Sequence, residues 1–118
     1  MSAISEVDIK HMAEDRQIEL FPNQKIAKNS VDAILDERGK RYGTFEGHAE
    51  IAQFYKTGLM GFLDSRNKFL ANDQQEALDM IFHKIARIIN GDANYADSWV
   101  DIAGYAKLVA DRLEGKVR

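Results

Sequence analysis

The chain has 118 residues, a net charge of −3 from 16 Lys/Arg against 19 Asp/Glu, one proline and no cysteine. That length holds one small domain around a single core, and the interleaved charge lacks the broad basic field that drives duplex nucleic-acid binding. Without cysteine there are no disulfides, thiolate metal sites or cysteine nucleophiles, and no run of about 18 apolar residues offers itself to a bilayer.

The start, "MSAISEVDIK", has neither the basic flank nor the apolar run of a secretory signal, so a cytoplasmic protein is expected. Residues 1–28 hold the single proline, Pro22, and no sustained period, and read as an N-terminal arm. Leu20 and Phe21 in that arm call for docking, either on the chain's own core or on a second subunit. Residues 29–118 read as the helical domain.

The first core helix is expected from Asn29 or Ser30 to Gly39, with Val31, Ile34 and Leu35 on one face and the glycine as terminator. The second opens at Thr44 and carries Phe45, Ala49, Ala52, Tyr55, Leu59 and Phe62 at helical spacing. Asp73 and Glu76 stand at capping-box spacing ahead of a third helix that stops at Asn90 and Gly91. The fourth brings Trp99, Ile102, Ala103, Ala106, Val109 and Leu113 onto one stripe and stops at Gly115. No segment alternates as a strand does, so the fold expected is all-α: a small antiparallel bundle of about four core helices with an N-terminal arm.

Charges placed among apolar residues mark the candidate site. Lys84 and Arg87 sit between Ile81, Ile85, Ile88 and Ile89, while Asp97 and Asp101 stand one turn apart on the next helix. With 1.5 Å of rise per residue, antiparallel packing predicts two rungs, Arg87 with Asp97 and Lys84 with Asp101. Such a ladder is either a pair of register-fixing salt bridges or a clamp in which the two cations hold a phosphate or carboxylate. Tyr105, two turns beyond Asp97, is a ring-stacking candidate or plain packing.

The stretch "RGKRYGTFEG", residues 38–47, lacks the spacing and the Lys-Ser/Thr pair of a nucleotide phosphate loop. Arg38, Lys40 and Arg41 nevertheless precede a helix N-terminus at Gly43-Thr44, which suits an anion; the plain alternative is a structural corner. His48, one turn into that helix, is read as solvated, with a ligand-facing donor or acid as the functional alternative, because no second histidine stands at metal-ligand spacing.

"RYGTFEGHAEIAQ" and "QEALDMIFHKIARIINGDANYADSWVDIAGYAKLV" together resemble a family of short phage and prophage proteins of unassigned function, over about residues 37–113. The shared stretches contain Arg41, Tyr42, Gly43, His48, Lys84, Arg87, Asp97, Trp99, Asp101, Gly104 and Tyr105. The helical layout is also similar, at the level of fold, to the all-α nucleoside triphosphate pyrophosphatases of the MazG type, and that similarity would imply carboxylates gathered around magnesium. Glu76 and Asp79 fit the E-x-x-D spacing, but Glu46 and Glu50 stand four apart where E-x-x-E is required.

These readings favour a phage-encoded helical protein, a homo-oligomer without cofactor, that binds an anionic nucleotide-like ligand, with sequestration of a host defence signal as its use. Two alternatives stay open. One is a magnesium-dependent nucleotide pyrophosphohydrolase; the other is a protein–protein interaction module or inhibitor.

Overall fold

A computed structural model describes residues 24–118, with side chains from Ser30 onward. Leu20, Phe21 and Pro22, for which docking was expected, lie outside the described residues. Among the described residues four helices follow one another: α1 (Gln24–Tyr42), α2 (Phe45–Ser65), α3 (Asn72–Asn90) and α4 (Ala96–Leu113). The described residues contain no strand, and the fold is all-α as the periodicity predicts.

The chain divides into two units, Met1–Arg41 and Tyr42–Arg118. In the first, α1 runs through Asn29 and Ser30 and continues past Gly39, so neither the expected cap nor the expected terminator bounds it. A Cβ at Gly39 would meet nothing within 4 Å, so this glycine is an ordinary helical position that costs some helix propensity. Arg41 pairs with Glu37 one turn earlier, at 3.5 Å.

The second unit is a layer of three helices. α3 lies in the middle and packs on α2 along one side and on α4 along the other. Local chemistry sets the ends of each. Thr44 caps α2 by accepting from the Gly47 amide at 3.1 Å. At the start of α3 the Gln74 side chain accepts from the Ala71 amide at 2.9 Å, a role the sequence reading gave to the Asp73–Glu76 pair. Gly115 takes φ +85 just beyond α4, and the following Lys116 amide bonds back to the Asp111 carbonyl at 2.8 Å.

Only Ala52, Ala77, Met80 and Ala86 are fully buried apolar side chains among the described residues, and Met80 is the one large member. The expected apolar stripes are therefore shifted in part. Ala52 is buried, but Phe45 and Phe62 of α2 are exposed, as are Trp99 and Leu113 of α4. The reason is architectural. A flanking helix of a single layer touches one neighbour, so half of a broad apolar stripe finds nothing to cover it within the unit.

Candidate functional site

The α3–α4 seam carries the first rung of the expected ladder. Lys84 Nζ lies 3.0 Å from Asp101 Oδ2, with the lysine 1% exposed and the aspartate 16%. A charge that deep is tolerated because an opposite charge meets it. The same seam is tied at its other end by Arg112, whose Nε and a terminal nitrogen donate to the two carboxylate oxygens of Asp73 at 2.7 and 2.6 Å. This fork holds the Asp73 carboxyl below its ordinary range and raises the Arg112 guanidinium.

The second rung does not form. The Arg87 guanidinium lies over the ring of Tyr42, 4.1 Å from its centroid, and Asp97 accepts instead from the Tyr95 hydroxyl at 2.8 Å. Tyr42 and Tyr95 meet edge to face at 6.1 Å. Nearby, Trp99 Nε1 donates to the Ala93 carbonyl at 2.9 Å, which fixes the indole while leaving it half exposed. Arg87, Tyr42, Tyr95 and Asp97 thus form one corner, where a cation lies stacked on an aromatic face.

Asn90 builds the floor of that corner. Its side-chain amide donates to the carbonyls of Tyr42 and Thr44, both at 2.8 Å. Gly43, at φ +76 between them, has no space for a Cβ because the Asn90 carbonyl and amide occupy it. The glycine is required twice over, by conformation and by close approach. A Cβ on Gly47 would likewise meet Asn90 Oδ1 at 2.6 Å. The stretch around Gly43 is a structural corner in this respect, and its backbone is bound by Asn90.

His48 is buried, not solvated. Its Nε2 stands 3.0 Å from Nδ1 of His83 across the α2–α3 seam, and Phe45 stacks on its ring at 5.9 Å. One of these two nitrogens donates and the other accepts. His83 escaped the sequence reading because its partner is 35 positions away. In the sequence Asn90 stands only as a stop signal and Tyr95 only as a boundary; no local pattern marks either as a contact residue.

Other candidates fall elsewhere. Tyr105 is half-buried on α4, and Arg38, Lys40 and Arg41 belong to the first unit and are described with it. The acids that would serve a metal lie on different seams. Asp79 and Glu76 stand near Lys56 of α2, whose proton affinity is lowered by burial and partly restored by those two carboxylates. Asp101 faces Lys84 on the opposite side of α3. Among the described residues, no three His, Asp or Glu side chains are placed to hold a metal ion.

A small all-α protein whose central helix carries a buried lysine and an arginine–tyrosine stack is the class these features define. The chain belongs to the family described as "Domain of unknown function (DUF6378)", whose profile matches residues 25–113. No curated protein and no solved structure matches it significantly. No described helix is long and apolar enough to cross a membrane.

Proposed function

We propose that the protein binds an anionic, ring-bearing small molecule of nucleotide-like chemistry at the Arg87–Tyr42–Tyr95 corner and holds it without chemical change. The observation that carries this reading is the Arg87 guanidinium held 4.1 Å over the Tyr42 ring. A guanidinium is a planar cation whose geometry suits a phosphate or carboxylate, and the adjacent aromatic rings offer π-faces to a base.

The division of labour differs from a two-cation clamp. Lys84, 1% exposed and on Asp101, supports the seam and leaves recognition to Arg87. Tyr95 is oriented by Asp97, which makes that aspartate a positioning residue. A phage setting, inferred from the motif resemblance, gives such a binder a use in sequestering a host defence signal inside the host cytoplasm.

The test is a thermal-shift and calorimetric screen of the full chain against mononucleotides, cyclic nucleotides and dinucleotides, with and without magnesium. The expected result is stabilisation by at least one anionic nucleotide that Arg87→Ala or Tyr42→Leu abolishes while helical content persists. Absence of binding across the whole set, or binding unchanged by both substitutions, overturns the proposal.

A further inference from the structure

The three-helix layer has two unlike faces. At about 100° per residue, one face of α3 carries Glu76, His83, Lys84 and Arg87, and the contacts of Lys84 with Asp101 and of Arg87 with Tyr42 place that face of the layer. The stacking of Tyr55 on Phe82, 5.6 Å between centroids and nearly parallel, marks the other face. On that second face the same periodicity brings Phe54 and Phe62 from α2, Ile89 from α3, and Trp99 and Leu113 from α4 to the surface. Their exposures are 74%, 63%, 55%, 55% and 60%.

Within the three helices the positions between those five are filled by uncharged residues such as Ile51, Gly58, Ile85, Ile102 and Ala106. At the edge of the face stands a cation, Arg66, just past the end of α2, whose guanidinium lies 5.2 Å from the centroid of the Phe62 ring. The three aromatic side chains carry roughly 150–250 Å² each and the two aliphatic ones somewhat less, so at these exposures the five leave on the order of 500 Å² of largely apolar surface in water. That is most of the roughly 800 Å² that each partner contributes to a stable interface. A single layer of helices is half of a packed domain, because a core needs surfaces on both sides.

We infer that this largely apolar face is a homodimer interface, covered by the same face of a second copy of the chain. The occupant must itself be largely apolar over a comparable area, since an ionised group set against the centre of this face would be buried without a partner. The chain's own face meets that requirement, and a two-fold axis buries both copies at once because the contact is isologous. Stacking layer on layer in this way leaves the Arg87–Tyr42 corner on the face of each three-helix layer turned away from the contact. The inference is independent of any ligand.

The experiment uses the full chain, whose lack of cysteine allows single thiols to be introduced cleanly. Light scattering after size exclusion is expected to give twice the 13.4 kDa of the chain. Under mild oxidation, Phe62→Cys and Ile89→Cys are expected to cross-link into dimers at least tenfold faster than Met60→Cys, which lies on the opposite side of α2 and is exposed. Phe62→Glu is expected to shift the chain to monomer. A monomer at every concentration, as would follow if the chain's own N-terminal residues or another protein covers the face, overturns the inference. So does cross-linking as fast from Met60→Cys as from the two face positions; this readout stands even where Phe62→Glu fails to fold.

Discussion

Asn90 and Gly43 fit one another: the asparagine's amide bonds the carbonyls on either side of the glycine at 2.8 Å, and its own atoms fill the place a Cβ would take. This relationship joins the end of α3 to the start of α2 and sets the position of Tyr42 beneath Arg87. Asn90→Ala is expected to lower stability by about 2 kcal/mol, two hydrogen bonds at about 1 kcal/mol each. Gly43→Ala is expected to cost at least as much, through positive φ and overlap together. Urea denaturation of the two variants checks both values.

The buried pair gives a second expectation, and it is asymmetric. Asp101→Ala removes the carboxylate 3.0 Å from the Lys84 ammonium, on a side chain 1% exposed, and is expected to destabilise by about 3 kcal/mol. Lys84→Met combined with Asp101→Leu replaces the pair by apolar groups and is expected to fall within about 1 kcal/mol of the wild type. A double variant as unstable as Asp101→Ala would mean that the pair contributes net stability. Denaturant midpoints at constant slope distinguish the cases.

Acid is expected to loosen the seam between α3 and α4 and the end of α4. The Arg112 fork holds Asp73 below its ordinary value, and a hydrogen bond from Lys107, with Arg118 assisting, does the same for Asp111. A carboxyl whose folded pKa is depressed contributes stability above its unfolded value, about 4, and that contribution is lost as pH falls through the folded value. Asp73→Asn and Asp111→Asn are expected to be less stable than wild type at pH 6 and to converge with it below about pH 4. Thermal melts across that range, read by circular dichroism, measure the convergence.

Nucleotide hydrolysis is expected to be absent. Metal-assisted attack on a phosphate needs several carboxylates converging on one or two ions. Here the acid pairs sit on opposite seams of α3, and Lys56 and Lys84 stand against them. Incubation with each nucleoside triphosphate and magnesium or manganese, followed by chromatography, should return the substrate intact. Metal-dependent pyrophosphate release that Glu76→Gln or Asp97→Asn abolishes would reverse this reading and restore the similarity to the pyrophosphatases.

The sequence by itself determined the helices of the second unit and one long-range contact. Caps and terminators are local: Thr44, Asn90-Gly91 and Gly115 act through their own backbone and nearest neighbours, so their positions are readable one residue at a time. Lys84 with Asp101 was also legible, because a short turn between antiparallel helices and a fixed rise per residue leave one register. Tertiary structure decided the rest. Arg87 left Asp97 for Tyr42 because the corner at Gly43 delivers an aromatic ring to it, and that delivery depends on Asn90 reaching back across 46 to 48 positions. His48 found His83 by the packing of α2 on α3, which no spacing within either helix encodes. The periodicity of α2 and α4 marked apolar stripes but not their covering: a layer of three helices gives each flanking helix one neighbour, and what meets Phe62, Trp99 and Leu113 is set by assembly beyond that layer.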